Sequence, residues 1–133
     1  MTIILPTGWN RPRGYSNGIA ARGRHIFVAG QIGWDQREHI VSDDLVDQAA
    51  QALQNIVAIL EAAGAAPHHI VRMTWYVTDK REYLAAQSAI GNAYREIIGA
   101  SYPAMTLVQV ASLLNDRAKI EIEATAVVPD DAS

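Results

Sequence analysis

Hydrophobic residues recur at helical spacing in a first long segment of the chain. Between Asp43 and Ala63 the apolar positions fall three or four residues apart, the repeat that gathers side chains on one face of an α-helix. Ser42 or Asp43 is suited to cap the start, and Gly64 suits the left-handed position after the last turn. The pattern predicts a helix over 43–63.

A second helix is predicted over about residues 80–98. Asp79 and Glu82 have the spacing of a capping box, an apolar stripe follows, and Gly99 comes directly after the stripe. Gly91 in the interior costs about 1 kcal/mol relative to alanine. Two interpretations of that glycine remain open: something packs closely against it, or it lies on an exposed face without a structural role.

Other segments alternate between apolar and polar positions, as β-strands do. In HHIVRMTWYVT, residues 68–78, one side carries Val71, Met73, Trp75 and Val77, and the other carries Ile70, Arg72, Thr74 and Tyr76. RHIFVAGQIGW, residues 24–34, is more uniformly apolar, which favours an interior strand, and YSNGIAARG before it indicates a short strand or turn. Residues 105–111 and 119–128 are predicted as two strands joined by the turn LLNDRA.

The order of these elements predicts the fold class. Two or three strands are followed by a helix, a strand, a helix and two strands. Each helix has a single apolar stripe to bury, so we expect an α+β protein with a mixed sheet and both helices on one of its faces. The length of 133 residues suits one domain with a real core, and we predict a single domain over 1–133.

Composition narrows the possible partners. The net charge is −3 although four arginines fall between residues 11 and 24, which argues against a nucleic-acid partner. The chain has no cysteine, which excludes disulfides, thiolate ligands and a cysteine nucleophile. No window approaches the roughly 18 apolar residues of a membrane span. We therefore expect no membrane partner and a cytoplasmic protein.

The side chains that carry most enzyme chemistry are sparse. The histidines have no metal-ligand spacing, and His68 and His69 would point to opposite faces of an extended chain. No glycine-rich phosphate loop or serine elbow is present, so these patterns predict neither a metal site nor a phosphate-binding loop. Glu121 and Glu123 remain, on one face of the last strand with Lys119 beside them. They indicate either a site or the solvated face of an edge strand.

Six segments together resemble one known family. YSNGI, IFVAGQIG, QAAQALQNIVAILEAAGA, IVRMTWYVTD, YPAMTLVQVASL and KIEIEATAV follow the order and spacing of the Rid family, also called the YjgF/YER057c/UK114 family, from residue 15 to residue 128. The resemblance implies a chorismate-mutase-like α+β fold. It also implies a homotrimer whose sheets form a central barrel, with the helices outside and a small-molecule ligand bound at the subunit interfaces.

The resemblance also implies a chemistry. Members of the family hydrolyse reactive enamines and imines to 2-keto acids and ammonia without a cofactor. A glutamate of the last strand positions the attacking water, an arginine after PA binds the substrate carboxylate, and a tyrosine and backbone groups near SGQ complete the pocket. Tyr15, Gly30 and Glu121 match this pattern, with Glu121 as the catalytic residue.

Four positions depart from the family pattern. Met105 stands in place of the arginine, Leu107 in place of a cysteine, Ala29 in place of a serine and Gly91 in place of an asparagine. Losing a charge-assisted contact costs a carboxylate ligand roughly ten- to a hundredfold in affinity. Met105 and Leu107 point the same way on a strand, so they make the expected wall apolar and deformable, unless they only fill the core.

The resemblance, together with these four departures, leads to three functional hypotheses. The first is hydrolytic deamination of an imine or enamine other than 2-iminopropanoate, larger or less acidic, with Glu121 holding the water. The second is a trimeric protein that binds a small molecule without catalysis. The third is the ribonuclease or translation-inhibitor activity attached to the family's name, for which the sequence offers no histidine pair or continuous basic groove.

Overall fold

The computed structural model describes residues 1–130, so the last three residues of the predicted domain lie outside the described residues. The elements along the chain are β1 (Thr2–Ile4), β2 (Gly18–Ala20), β3 (Arg24–Ile32), α1 (Leu45–Ala62), a short 3-10 helix (Pro67–His69), β4 (Ile70–Val77), α2 (Lys80–Ile97), β5 (Ala104–Gln109) and β6 (Ile120–Val128). Strand β1, which pairs with β2 in a small separate sheet, was not predicted.

The main sheet has four strands in the order β3-β6-β4-β5. Strands β3 and β4 each pair antiparallel with β6, and β5 pairs parallel with β4. The parallel pair is possible because α2 carries the chain back between β4 and β5. The predicted mixed α+β sheet backed by two helices is confirmed.

Helix α1 is capped one residue later than the sequence suggested. Asp44, and not Ser42 or Asp43, is the N-cap, and its carboxylate accepts the backbone N–H of Asp47 at 3.0 Å. Ser42 acts one step before the cap, because its hydroxyl accepts the N–H of Asp44 at 2.9 Å. Gly64 has the positive φ of 75° expected at the end of the helix.

Helix α2 begins at the predicted cap. The Asp79 carboxylate accepts the backbone N–H groups of Arg81 at 2.9 Å and Glu82 at 3.2 Å. Glu82 extends to Lys119, whose Nζ lies 2.8 Å from its carboxylate oxygen. Gly99 follows the helix with a φ of 104°. Neither helix in the described part of the chain is long and apolar enough to cross a membrane.

The core lies between the two helices and one face of the sheet. Most of its larger side chains are fully buried, and each contributes about 1.5–3 kcal/mol of hydrophobic free energy. They are Leu53, Ile56 and Leu60 from α1, Ile70, Met73 and Val77 from β4, and Ile120 and Ile122 from β6. We call this the covered face of the sheet and the opposite one the uncovered face.

The positions of two strands in the sheet differ from expectation. Strand β3 was predicted to be interior but lies at an edge of the sheet, and its Phe27 side chain is 77% exposed. Strand β6, which carries Glu121 and Glu123, lies between β3 and β4. The interpretation of these glutamates as part of an edge strand is therefore wrong.

The alternation predicted for β4 holds over most of the strand. Met73, Trp75 and Val77 are buried on the covered face. Ile70 was expected on the other side but is also buried, because the register is irregular between Ile70 and Arg72. His68 and His69 lie in the 3-10 helix with ring centroids 4.1 Å apart, so they do not point to opposite faces.

Candidate functional site

The predicted site residues lie in two places on opposite sides of the sheet. Tyr15, Met105 and Leu107 line a cleft on the covered side, beside α2. Gly30 and Glu121 lie together on the uncovered face. Neighbouring strand positions show the separation, since Trp75 pairs with Leu107 on one side and the next residue of β4 pairs with Glu121.

The cleft lies between α2, β5 and the segment that precedes β2. Its volume is about 460 Å³, within the range of small-molecule pockets. Helix α2 packs chiefly along α1 and stands away from β5, which leaves the cleft open. The lining residues are Arg13, Gly14, Tyr15, Trp75, Tyr83, Gln87, Ile90, Gly91, Tyr94, Arg95, Tyr102, Met105 and Leu107.

A buried serine fixes the segment that carries Tyr15. The Ser16 hydroxyl donates to the Tyr102 carbonyl at 2.6 Å, and its backbone N–H donates to the Pro103 carbonyl at 2.9 Å. These bonds bring residues 13–15 to the start of β5. Gly14, with a φ of 78°, supplies the turn between Arg13 and Tyr15.

The wall formed by β5 is apolar. Met105 and Leu107 are half-buried, lie on the same side of the strand and line the cleft. Both also pack against the core, next to Met73 and Trp75 on β4. They therefore fill part of the core and face the cleft at once.

Two arginines that were not among the predicted site residues line the same cleft. Arg13 precedes the Ser16 anchor, and Arg95 lies in the last turn of α2. A Cβ placed on Gly91 would lie 3.5 Å from Nη1 of Arg95, so the guanidinium lies over the glycine. The spacing of four residues between Gly91 and Arg95 was the available sequence signal.

Aromatic side chains form the floor of the cleft. The rings of Tyr94 and Tyr102 stack at 5.7 Å, and Trp75 lies 6.4 Å from Tyr94 between centroids. The Tyr94 hydroxyl donates to the Ser101 carbonyl at 2.6 Å, and burial, followed by the nearby Tyr102, raises the pKa of Tyr94. Trp75 is 2% exposed, and its indole N–H has no acceptor among the described residues.

The uncovered face carries the two glutamates with a tyrosine between them. The Tyr76 hydroxyl donates to Glu123 Oε1 at 2.6 Å. This hydrogen bond, followed by burial and the charges of Glu123 and Glu121, raises the pKa of Tyr76. Lys119 was expected beside the glutamates but pairs with Glu82 of α2, because it precedes β6 and its side chain turns toward the helices.

Gly30 is the residue that gives Glu121 its place. The register between β3 and β6 shifts between Val28 and Gln31, so Gly30 lies in an irregular part of the strand. A Cβ on Gly30 would overlap the Glu121 carboxylate. Only glycine therefore lets this carboxylate lie against the backbone of β3, while Ala29 beside it is exposed.

Within one chain, the predicted site residues form two separate groups. The cleft has an apolar wall, aromatic rings and the guanidinium groups of two arginines. The uncovered face has a half-buried carboxylate beside the backbone of a glycine. Within residues 1–130, no group of three or more histidine, aspartate or glutamate side chains is placed to hold a metal ion.

Comparison with known proteins places this fold and these motifs in one family. The family model described as endoribonuclease L-PSP matches residues 9–128. A RutC family protein of Pyrococcus horikoshii is 41% identical over 126 residues, which cover 93% of this chain and 95% of the relative. A Salmonella typhimurium protein named 2-iminobutanoate/2-iminopropanoate deaminase is 40% identical over 105 residues, which cover 79% of this chain and 80% of the relative.

The solved structures agree with the sequence comparison. A protein of Yersinia pestis described as a member of the conserved Rid family, YyfB, superposes with a TM-score of 0.84 at 32% identity and covers 96% of this chain and 98% of its own. The predicted YjgF-like fold is thereby confirmed. The protein whose cleft and carboxylate are described above belongs to the Rid family.

Proposed function

We propose that the protein is a hydrolytic deaminase that converts a reactive imine or enamine into a carbonyl compound and ammonia. The observation that carries the proposal is the Glu121 carboxylate, half-buried and held against the bare backbone of Gly30. A carboxylate in this setting can orient a water molecule and accept its proton. The family membership and the deaminase name of the Salmonella typhimurium relative support the same reaction.

The reaction needs only a water molecule and proton transfers. Water adds to the carbon of the C=N bond while Glu121 accepts its proton. The proton then passes to the nitrogen, which gives a carbinolamine. The carbinolamine hydroxyl then gives up its proton and the amino nitrogen takes up one proton, so the C–N bond breaks, nitrogen leaves as ammonia, and the oxygen remains as C=O. An enamine enters the same sequence after a proton is added at carbon and one is lost from nitrogen, which converts it to the imine. No oxidant or reductant takes part.

Under this proposal, a second copy of the chain brings the two groups of residues together. Glu121 and the cleft lie on opposite sides of the same sheet, so one chain cannot present both to one small molecule. The uncovered face also exposes Phe27, which an additional copy would bury. We propose a homotrimer in which the cleft of one subunit meets the Glu121 face of the next. A sedimentation mass of one or two chains at micromolar concentration would contradict it.

The apolar wall sets an expectation for the substrate. Met105 cannot pair with a carboxylate as an arginine at this position would, and 2-iminopropanoate has only a methyl group to contact the apolar wall, so we expect weak hydrolysis of that compound generated in situ. Met105→Arg should increase it, because a guanidinium would then face the substrate carboxylate. Wild-type turnover equal to that of an arginine-bearing relative measured side by side would contradict this role of Met105.

Ammonia release across a panel of imines tests the proposed reaction. We expect Glu121→Gln to lower turnover of the best substrate by about 10²-fold or more, the usual scale of general acid–base help, without changing the assembly. Glu123→Gln is the matched control, because it removes the same charge two residues away on the same face. Turnover that survives Glu121→Gln would exclude Glu121 from the mechanism, and binding without any ammonia release would indicate a non-catalytic binding protein.

A further inference from the structure

The cleft is lined by two positively charged side chains and by no negatively charged one from residues 1–130. Arg13 and Arg95 both line it, and no aspartate or glutamate is among the described residues that do so. Neither arginine forms an ion pair with a described residue, since the ion pairs there join Arg117 to Asp43 and Lys119 to Glu82. Within one chain, the cleft therefore presents two guanidinium groups with no carboxylate among the lining residues that the structure describes.

Both arginines are held at the cleft by local structure. Arg13 is tied there through the Ser16 anchor, three residues further along the chain. Arg95 lies over Gly91, where any longer side chain would occupy the space beside the guanidinium. Its Nη2 also donates to Asn92 Oδ1, a neutral partner that orients the group without cancelling its charge.

A second and independent feature of the cleft is an unused hydrogen-bond donor. Trp75 is almost entirely buried and lines the cleft, yet its indole N–H finds no acceptor in the described part of the chain. Leaving a buried donor unpaired costs about 1–3 kcal/mol, so such groups are usually paired in the functional state. A ligand with an acceptor oxygen or nitrogen would pair it.

We propose that Arg13 and Arg95 bind the carboxylate of a ligand whose large apolar side chain packs on the aromatic floor, with Trp75 donating to an acceptor of the same ligand. Guanidinium groups match a planar carboxylate in shape and charge. The rings of Tyr94 and Tyr102 and the thioether of Met105 match an apolar or aromatic side chain. Resting on the proposed deaminase function, this selects the imine of an amino acid with a large apolar side chain as substrate.

Three stable probes separate charge from shape without any turnover. 3-Phenylpropanoate has both features, 3-phenylpropanamide keeps the shape and an acceptor but has no charge, and propanoate keeps only the charge. We expect calorimetry to rank 3-phenylpropanoate above both others. Only the affinities of the two acids should fall with added salt, because salt screens exposed charges.

The arginine variants test the assignment directly. The double variant Arg13→Gln with Arg95→Gln should weaken binding of 3-phenylpropanoate about tenfold or more and leave 3-phenylpropanamide unchanged. Arg81→Gln is the matched control, since it removes the same charge from an exposed position of α2 outside the cleft. In nitrogen-15 NMR spectra, the Trp75 indole N–H should shift downfield with either aromatic probe.

Several results would overturn the inference. Equal affinity for the acid and the amide, an equal loss in the Arg81→Gln control, or an unmoved Trp75 indole signal under saturating 3-phenylpropanoate would each do so. The outcome is separable from the proposed function. If no imine is hydrolysed while the acid still binds through the two arginines, the deaminase proposal fails and the anion site stands.

Discussion

The covered and uncovered faces of the sheet are built from the same strands but differ in how far their side chains are buried. On the covered face, Met73 and Ile122 are completely buried against the helices. On the uncovered face, Phe27 is 77% exposed and Glu121 is only half-buried, although both belong to strands that pair well. Within a single chain, the covered face is buried and the uncovered face is left partly exposed.

The difference shows where stability and function reside. Side chains on the covered face are fixed by packing, so changes there act on folding. The uncovered face carries the Glu121 carboxylate beside Gly30 and the exposed ring of Phe27. These groups contribute little to the folding stability of an isolated chain. Under our proposal, both features act when another copy supplies its cleft. The predictions below test that division.

We expect the largest difference between two variants that each remove one apolar side chain, one from each face. Ile122→Ala should lower the free energy of unfolding by about 2–5 kcal/mol, because it leaves a cavity in a fully buried position. Phe27→Ala should cost within about 0.5 kcal/mol in a dissociated chain, as exposed substitutions do, but should weaken assembly. Urea unfolding and sedimentation at several protein concentrations measure both quantities.

That comparison has a clear contrary outcome. If Phe27→Ala destabilises the protein as much as Ile122→Ala does at every concentration, the ring belongs to the fold of one chain. If it changes neither stability nor sedimentation mass, the uncovered face is not an interface.

Two glycines give the next comparison. A Cβ on Gly33 would lie 2.5 Å from the Cα of Gln48, in the backbone of α1, so Gly33→Ala should cost about 1–3 kcal/mol by overpacking. The three atoms nearest to a Cβ on Gly30 would all belong to the Glu121 side chain, which can rotate away. Gly30→Ala should therefore preserve stability better but lower turnover by about tenfold or more through misplacement of the carboxylate.

Thermal unfolding and ammonia release, measured on both glycine variants, separate the two effects. Full turnover in Gly30→Ala would show that the position of Glu121 against β3 is not important for the reaction. A stability loss in Gly30→Ala as large as that in Gly33→Ala would place Gly30 with the folding residues instead.

Local patterns in the sequence were sufficient to predict the elements that form the covered face. Helices predicted over 43–63 and 80–98 are observed at Leu45–Ala62 and Lys80–Ile97, because each has one apolar stripe and polar ends. The apolar side of β4 was found in the same way. These features depend on residues close together in the chain, which is the information that periodicity contains.

Features that depend on pairing between distant segments were not predictable. An apolar run such as β3 does not reveal whether it has one neighbour or two, so its place at the sheet edge was missed. Arg13 and Arg95 are 82 positions apart in the chain and line the same cleft because Ser16 is tied to residues 102–104. The family resemblance supplied the expected site residues, but not their separation across the sheet.

A smaller effect is expected inside α2, at the rim of the cleft. Gly91→Ala should raise the free energy of unfolding by about 0.5–1 kcal/mol, because alanine loses less conformational entropy in a helix. The added Cβ would lie 3.5 Å from Arg95 Nη1, an ordinary contact. Ala89→Gly, at an exposed position of the same helix, should show the opposite change in urea unfolding.

This substitution also decides between the two interpretations of the glycine. A stabilised protein that still binds 3-phenylpropanoate would show that neither the fold nor the position of Arg95 requires glycine at position 91. A destabilised one would show that α2 is closely packed at this point.

The smallest effect contrasts tyrosines on the two faces at alkaline pH. The pKa of Tyr76 is raised above 10.0 mainly by its hydrogen bond to Glu123, whereas the pKa of Tyr94 is raised mainly by burial. In both cases the folded protein holds the phenolic proton more tightly than the unfolded chain does. The resulting stability is fully present below pH 10.0 and is lost as the pH rises through the higher folded pKa.

Glu123→Gln removes the charged partner of Tyr76 only, so it should make the loss of unfolding free energy above pH 10.0 less steep without abolishing it. Glu96→Gln, an exposed carboxylate on α2, is the control and should leave the slope unchanged. Urea unfolding measured across that pH range gives both slopes. Identical slopes in the Glu123→Gln variant and the wild type would show that Tyr76 does not share a proton-dependent contact with Glu123 on the uncovered face.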